Sequence, residues 1–403
     1  MRVWSFLRDA TKEALKGSMF YYLWISLLLF FVIVGIKSYL IQLENGLIVT
    51  NMRDQVSWGL YIANFTFLVG VAAAAVLVVV PAYVYHFDPI KEITVLGELL
   101  AFSSIIMCLC FIVVDFGRPE RFWHIIPGIG KWNFPYSLLT WDTIVLSGYL
   151  ILNTFLPLYL LYSAYYGKQP RSGVYTPLVL LSIPWAVSIH TVTAFIYNPL
   201  PARPFWNTAI LAPRFLASAF CSGPAIMLLI FQILRKFRKM EIKDEALFKI
   251  ADIMAYAMFF NILFTVAEVF KDYYSQTAHL SQMRYLFEGL SGHKKLVPYI
   301  WTAMALEFFS FMLFIILRHK PKKIIMNVGC LLIITGVYIE KGLCFIVPGF
   351  VPDPLGEIYE YMPSFHEVAI SMGIFSAGLL IYTVLSKPAI EIMRGKLTFR
   401  GKL

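Results

Sequence analysis

Ten apolar runs constrain the fold of this chain more than any other feature of its sequence. A transmembrane helix needs about 20 predominantly apolar residues. Runs of that length lie at roughly 19–40, 58–86, 92–114, 136–165, 174–197, 211–235, 247–271, 297–317, 323–346 and 364–386. Hydrophobic residues make up 59% of the chain and charged residues 14%, whereas about a quarter of a soluble domain is charged. The sequence therefore predicts an all-α integral membrane protein, with residues 1–403 as one polytopic domain.

The order of the runs predicts how the helices are grouped. We expect two four-helix bundles, at 58–197 and 211–346, because each range holds four consecutive spans. The spans at 19–40 and 364–386 would flank these bundles.

Two shorter segments predict helices lying in the membrane interface. Residues 2–18 place apolar side chains on one helical stripe opposite basic ones, as interfacial helices do. A second such helix is predicted at 281–290. The apolar run after the basic N-terminus is long and lacks a small-residue cleavage site, so we interpret it as a retained anchor and not a signal peptide.

The positions of Lys and Arg predict the orientation of the chain in the membrane. Ten spans leave both termini on one side, and that side carries 22 of the 34 Lys and Arg residues. Because positively charged loops stay in the cytoplasm, we expect both termini to be cytoplasmic in a multi-pass protein of the cell (cytoplasmic) membrane. The loops at 115–135, 198–213, 272–296 and 347–362 would then face outward.

Composition also excludes several classes of function. The net charge of +10 comes from basic residues in short loops beside apolar runs, a pattern of membrane orientation and not of nucleic-acid binding. The five cysteines form no CxxC pair, so neither an iron–sulfur ligand set nor a disulfide framework is expected. A membrane haem needs paired axial ligands, and only His190 lies well inside a span. We therefore expect no intrinsic haem, iron–sulfur cluster or metal site, and any redox role would use electrons from a partner.

The stretch 115–142 is the most unusual connection between two spans. It is rich in charge, Gly and Pro, and it re-enters an apolar run at Pro135, taking Asp142 into the membrane. An ionisable side chain in the bilayer core costs at least a few kcal/mol, so each one requires an explanation. Because Asp142 lies beside Trp141 beneath a charged loop, we interpret it as a buried proton carrier.

Other ionisable residues inside the spans allow more than one interpretation. Arg214 follows Pro213 at the start of a span, and we favour an extension of its side chain to the headgroups over an internal partner. Glu367 could stabilise the N-terminus of its own helix, and His190 fits a structural role as well as a functional one. Glu307 requires either a partner on another helix or a proton.

The span that begins at residue 58 is unusual in its small residues, which run from Gly70 to Ala75. Such residues allow close packing against neighbouring helices. Tyr61 and Asn64 lie near the outer end of this span, where they could hydrogen-bond a carbonyl group. The sequence of this span alone slightly favours structural roles over contact with a ligand, with Tyr61 at the membrane interface and Asn64 in a hydrogen bond between helices.

Five segments, read in order, resemble one family. They are WGLYIANFTFLVG in the second span, DFGRPERFWH in the following loop, TWD at 140–142, SIHTVTAF at 188–195 and APRFLASAFCSGPA at 212–225. Together they resemble the polysulfide reductase membrane-subunit family, also called NrfD-like, over about residues 55–385. The ten spans resemble the subfamily in respiratory complexes with multihaem cytochromes. The strongest resemblance is to the NrfD-like subunits of dissimilatory sulfite reduction-associated transmembrane complexes, found in sulfate reduction.

The resemblance implies a subunit without its own redox centre that binds menaquinone toward the outer face. It would exchange electrons between the menaquinone pool and an extracytoplasmic ferredoxin-like iron–sulfur subunit. Other membrane and cytochrome subunits would complete the complex, and the chain would not be active alone. The family's loop histidine and buried aspartate, associated with the quinone site or a proton path, correspond to His124 and Asp142. Arg118 and Tyr61 fall in equivalent pocket-lining stretches.

These residues give a specific hypothesis for the site. Asp142 and His124 are the candidate catalytic residues, which would bracket one quinone carbonyl. The candidate quinone-binding residues are Tyr61, Asn64, Arg118, Trp141, His190 and Glu268. A proton path toward the cytoplasm could use Glu98 and Glu307.

Two rival functions remain. A proton-coupled secondary transporter would use the intramembrane acids and predicts broken helices at matching positions of two halves, which the Pro and Gly positions do not show. A passive membrane anchor for redox subunits would leave the acids and histidines of the outer half unexplained.

Overall fold

The computed structural model describes residues 2–277 and 279–399, and across them ten helices are long and apolar enough to cross a membrane. Each of these helices coincides with one of the predicted spans, and the described part of the chain contains no β-strand. The prediction of an all-α multi-pass membrane protein is therefore confirmed. The helices α1 to α12 are, in order, Arg2–Leu15, Met19–Asn45, Leu60–Val84, Thr94–Asp115, Leu138–Tyr165, Ser172–Tyr197, Leu211–Arg238, Asp244–Ser275, Leu280–Phe287, Val297–His319, Lys323–Gly349 and Phe365–Met393.

Two of the spans are interrupted. The helix α3 breaks after Leu60–Ala73 and ends in a π-helical turn at Val80–Val84. The helix α11 breaks at Gly342 and ends in a 3₁₀ turn at Val347–Gly349. The shorter predicted helices at 2–18 and 281–290 correspond to α1 and α9. Between the numbered helices lie a short helix at Asp88–Lys91 and 3₁₀ turns at Leu47–Val49, Pro119–Ile125 and Pro204–Trp206.

The helices pack in two groups. In the first bundle, defined here as α3 to α6, α3 packs on α4 and α5 packs on α6. In the second bundle, defined as α7, α8, α10 and α11, α7 contacts both α8 and α11, and α10 packs along α11. The two bundles meet where α7 crosses α3 and α6. The remaining spans, α2 and α12, pack against each other, and α12 also packs on α4.

Small residues bring α3 and α7 close together, as the sequence predicted. A Cβ atom placed on Gly70 would lie 3.4 Å from the Cα of Ala219, and one placed on Gly223 would overlap the side chain of Ala74. Backbones that approach this closely gain dispersion contacts along the whole crossing, which is the usual driving force for helix association in lipid. The two bundles therefore meet where the backbones of α3 and α7 lie in close contact.

The pair α2 and α12 is held by a similar contact. A Cβ atom on Gly35 would lie 2.7 Å from the Cα of Gly373, and the reverse is also true. Glycine at both positions lets the two backbones touch, so the pair packs as one unit against α4.

Glu367 holds segments together at the outer end of the molecule. We define this end as the one that carries residues 116–137 and 350–364. The Glu367 carboxylate completes a capping box with Ser364 at the start of α12 and also accepts the Asn51 N–H at 2.9 Å. The hydroxyl of Tyr361 donates to Glu367 and accepts the N–H of Leu60 at 2.9 Å. The N-terminal capping considered for Glu367 is thus correct, and the same side chain also anchors the segment before α3.

Candidate functional site

A cavity of about 900 Å³ lies beneath the outer loop, which we define as residues 116–137. The helices α2, α4, α5 and α12 form its walls, and the outer loop covers it with Phe122, Ile126 and Trp132. Ligand pockets for small molecules measure about 300–1,000 Å³ and are mostly apolar, with a few polar groups. The walls here are predominantly apolar, and Asp142 is the acidic side chain among the described residues that line them.

Asp142 lies in the first turns of α5 and is 1% exposed. The hydroxyl of Thr193, on α6, donates a hydrogen bond to Oδ1 of Asp142 at 3.1 Å. Within residues 2–277 and 279–399, Asp142 forms no ion pair with a Lys, Arg or His side chain. Such a carboxyl group can take up or release a proton without breaking an ion pair.

Tyr61 and Asn64 stand behind the cavity wall and do not line it. The Tyr61 hydroxyl donates to Oε1 of Gln42 at 2.7 Å, and the Gln42 amide donates to the carbonyl of Val114 at 2.6 Å. The Asn64 amide donates to Ser371 at 3.0 Å. Both residues therefore hold neighbouring helices together, and neither lines the cavity, so their contact with a quinone carbonyl stays a prediction.

His124, Arg118 and Trp141 belong to the outer surface. The His124 side chain is exposed, and its ring packs on Trp123 with centroids 3.9 Å apart. Arg118 is exposed and 3.9 Å from Glu120, while the Trp141 indole N–H donates to the carbonyl of Pro135 at 2.7 Å. None of the three side chains lines the cavity. The structure therefore does not bring His124 and Asp142 together around one ligand.

Arg214 is half-buried and belongs to an ion-pair network, so the expected extension to the headgroups is wrong. Its guanidinium contacts the carboxylates of Glu268 on α8 and Glu340 on α11. Glu340 also accepts the Thr265 hydroxyl at 3.2 Å. The predicted quinone ligand Glu268 thus lies in the second bundle as a partner of Arg214, away from the cavity that contains Asp142.

Lys341 and Glu340 are the functional candidates that the sequence reasoning missed. The Lys341 ammonium donates to the carbonyl of Phe215 at 2.9 Å and lies over its ring, 4.4 Å from the centroid. The sequence feature that could have identified them is an acid next to a base inside the apolar run 323–346. His190, on α6, is 1% exposed, and neither ring nitrogen has a hydrogen-bond partner among the described residues.

Glu98 and Glu307, the two residues of the predicted proton path toward the cytoplasm, lie in different bundles. Glu98 is buried in α4, and both its carboxylate oxygens lack a hydrogen-bond partner in the described part of the chain. Glu307, on α10, accepts the Asn261 amide at 2.8 Å. It lines a second cavity of about 600 Å³ between α8, α9 and α10. No group of three or more potential metal ligands forms within the described residues.

The chain matches the model of one protein family over most of its length. The model of the family described as "Polysulphide reductase, NrfD" matches residues 48–351, which is more than half of the chain. This match begins after α2 and ends before α12.

Three relatives bear the names of redox-enzyme subunits. A selenate reductase subunit of Mesobacillus selenatarsenatis is 23% identical over 405 residues, covering 90% of this chain and 92% of that protein. The Hdr-like menaquinol oxidoreductase integral membrane subunit of Archaeoglobus fulgidus is 23% identical over 386 residues, covering 89% of this chain and 92% of its own length. A putative dimethyl sulfoxide reductase membrane subunit of Halobacterium salinarum is 26% identical over 260 residues, covering 60% of this chain and 59% of its own.

Proposed function

Since the chain belongs to the polysulphide reductase NrfD family, we propose that it is the quinone-reactive membrane subunit of a respiratory redox complex. Its relatives are named as subunits of two reductases and of a menaquinol oxidoreductase, so in this proposal it works with redox partner subunits. In this proposal the chain exchanges electrons between menaquinone and an extracytoplasmic iron–sulfur subunit. The observation that carries the proposal is the 900 Å³ apolar cavity with Asp142 in its wall.

Asp142 would transfer one of the two protons of the quinone reaction. Oxidation of a quinol releases two electrons and two protons, and a carboxylate at the hydroxyl group can accept one of these protons as the electrons leave. Thr193 would keep the Asp142 side chain oriented, because it donates to Oδ1 at 3.1 Å. The apolar walls would hold the ring and exclude water from the reacting atoms.

Menaquinone is the proposed quinone, and the outer loop is the proposed side for the iron–sulfur partner. One relative at 23% identity is named a menaquinol oxidoreductase subunit, which supports the first choice. The outer loop exposes Phe122, Trp123 and Tyr136 next to Arg121, and aromatic residues and Arg are enriched in protein interfaces. The proposal also includes that the chain belongs to the subfamily found in dissimilatory sulfite reduction-associated transmembrane complexes.

The transporter alternative gains no support from the helix interruptions. It expects broken helices at matching positions of two halves. The interruptions lie in α3, the first helix of the first bundle, and in α11, the last helix of the second. The positions therefore do not correspond.

The test replaces Asp142 by Asn in the assembled complex purified in mild detergent. We expect turnover with a menaquinol analogue to fall by roughly 10²- to 10⁴-fold, the range for loss of a proton-transfer group. Asp252→Asn, in a partly buried acid of α8 that lines neither cavity, should retain turnover. Unchanged turnover in Asp142→Asn would refute the role of Asp142.

A second readout locates the quinone. Cys110 lines the cavity and is partly exposed, whereas the other four cysteines are buried. A bound menaquinone analogue should slow the alkylation of Cys110 by N-ethylmaleimide. Equal alkylation rates with and without the analogue would show that the quinone binds elsewhere.

A further inference from the structure

One face of α2 is exposed along the whole length of the helix. The buried residues of α2, including Gly35 and Ser38, lie on the side that packs against α12. On the opposite side, exposed residues follow one another at intervals of three and four positions, which places them on a single stripe of the helix. They are Leu23, Ser26, Phe30, Ile33, Lys37, Leu40 and Glu44. We call this stripe the Lys37 face.

Lys37 places a charge on this face deep within the span. Tyr21, Tyr22 and Trp24, at the start of α2, have the composition of an aromatic belt at a membrane interface. A hydrocarbon core of roughly 30 Å takes about 20 helical residues, so it extends from about residue 23 to about residue 43. Lys37 then lies about 9 Å below the outer boundary of this core.

The Lys37 side chain is directed away from the nearer interface. The Cα–Cβ bonds of a helix tilt toward its N-terminus, and α2 begins at Met19, at the end of the molecule opposite the outer end. Within residues 2–277 and 279–399, the Lys37 ammonium forms no ion pair and no hydrogen bond. Because a charge exposed to lipid at this depth is costly, Lys37 requires an anion from outside the chain.

Three kinds of neighbour could cover the Lys37 face. A phospholipid phosphate stays at the interface, above the depth of Lys37. A second copy of this chain, related by a two-fold axis along the membrane normal, would bring its own Lys37 to the same depth, and two ammonium groups repel each other. A transmembrane helix of another subunit can place a carboxylate at any depth. Its side chains can also pack along the whole stripe, whose spacing of three and four residues is that of a coiled-coil seam.

We propose that the Lys37 face binds a transmembrane helix of another subunit, and that an Asp or Glu side chain in the outer half of that helix pairs with Lys37. The inference rests on the part of the proposed function in which the chain works with partner subunits, and not on the quinone reaction. Val32 and Tyr39, on another side of α2, line the cavity that contains Asp142. The partner helix would therefore hold α2 in place as a wall of that cavity.

The experiment uses photocrosslinking of the assembled complex in its membrane. Ile33 and Leu40, which flank Lys37 on its face and are 64% and 58% exposed, are replaced one at a time by p-benzoylphenylalanine. Leu331 on α11, which is 57% exposed, carries the same probe as the control at another exposed position. After irradiation, mass spectrometry identifies whether each adduct joins another subunit, a second copy of this chain or a lipid.

We expect the probes at Ile33 and Leu40 to form adducts with one transmembrane segment of another subunit, with an Asp or Glu between the two crosslinked positions. The probe at Leu331 should not reach that segment. Adducts with lipid alone or with a second copy would overturn the proposal, and so would a crosslinked segment without an acidic residue. Since the crosslinks do not depend on turnover, these outcomes are distinct from a failure of the quinone reaction, which Asp142→Asn reports.

Charge substitutions test the pairing itself. Lys37→Glu should lower the yield of the adduct from Leu40 roughly tenfold, because two like charges would then face each other at low dielectric. Lys37→Arg should keep the yield, and exchanging the identified acid for Lys should restore it in Lys37→Glu. Lys168→Glu, which makes the same change at an exposed loop residue, is the control. Equal yields in Lys37→Glu and Lys168→Glu would show that Lys37 has no acidic partner and would overturn the proposal.

Discussion

The two cavities of this molecule differ in how their buried acids are partnered. In the first cavity, Asp142 is bound by one neutral hydroxyl, that of Thr193. In the second, Glu307 adjoins a network in which Arg214 joins two further carboxylates. An acid without a counter-ion can change its protonation at small structural cost, whereas the acids of an ion-pair network hold helices together. The comparison supports our proposal of proton transfer at the first cavity and a structural role for the network of the second bundle.

The cavities also differ in which helices build them. The family match covers 48–351 and includes every helix around the second cavity. The first cavity takes one wall from α2 and α12, through residues such as Tyr39 and Ile374, which lie outside that match. The flanking helices therefore shape the site where we place the quinone.

The largest effect should come from removing the shared cation of the network. Arg214→Met leaves Glu268 and Glu340 buried without their common partner, which should destabilise the subunit by about 3–5 kcal/mol. Thermal unfolding of the purified complex measures this loss. Arg318→Met removes an exposed arginine from the end of α10 and should change stability little. If Arg214→Met melted like wild type, the structural role assigned to the network would be wrong.

A smaller effect is expected from separating the flanking helices. Gly373→Ala places a methyl group 2.7 Å from the Cα of Gly35, and such overpacking costs about 1–3 kcal/mol. Because α2 must move, the bound quinone per complex should fall, as counted by solvent extraction and mass spectrometry. Gly173→Ala, where no atom lies within 4 Å of the added methyl group, is the control. Full quinone occupancy in Gly373→Ala would show that α2 and α12 do not shape the site.

Substitutions of Thr193 test whether its hydroxyl orients Asp142, and their expected effect is smaller. Thr193→Val removes the hydroxyl that donates to Asp142, a contribution of about 1 kcal/mol or roughly fivefold in turnover. Thr191→Val is the matched control on the same helix, because the Thr191 hydroxyl bonds only the carbonyl of Val187 among the described residues. Thr193→Ser should restore turnover. Equal rates for Thr193→Val and Thr191→Val would remove Thr193 from the proposed mechanism.

The smallest effect concerns Glu360, a carboxylate outside the spans. Burial raises the pKa of Glu360, but the Lys295 N–H at 3.0 Å and the His293 imidazole outweigh it, so the pKa of Glu360 lies below its ordinary value. The stabilisation is therefore fully present above pH of about 4.3, the ordinary pKa of Glu, and is lost as the pH falls through the lowered pKa.

For a partly exposed pair this amounts to less than about 1 kcal/mol. Thermal unfolding between pH 3 and pH 6 should show a slightly steeper loss of stability in wild type than in Glu360→Gln, with Glu357→Gln as the control from the same loop. Parallel curves for wild type and Glu360→Gln would contradict the assignment.

The spans could be predicted from sequence because hydropathy is a local property of each segment. The ten runs need no knowledge of their neighbours to be identified as helices, and the small residues from Gly70 to Ala75 correctly indicated a close crossing. Asp142 was also predicted to be buried, because it follows a charged loop into an apolar run.

Partners across helices could not be predicted in the same way. Arg214 meets Glu268 and Glu340 from two other helices, and such contacts depend on helix rotation, which periodicity fixes poorly in a membrane where several faces are apolar. Tyr61 and Asn64 were predicted to contact a ligand, yet each hydrogen-bonds a side chain on a flanking span. Their sequence positions alone did not show which neighbouring helix they face. His124 lies in a loop, and hydropathy does not predict the direction in which loop side chains point.

The contact of Gly35 with Gly373 joins the first span in the chain to the tenth. Membrane helices enter the bilayer in the order of their synthesis, so the wall that these two helices share cannot exist until residues near 377 have left the ribosome. Every helix of the second bundle precedes these residues in the chain. The cavity with Asp142 is therefore assembled late, and any molecule that occupies it is loaded after synthesis of the spans is complete.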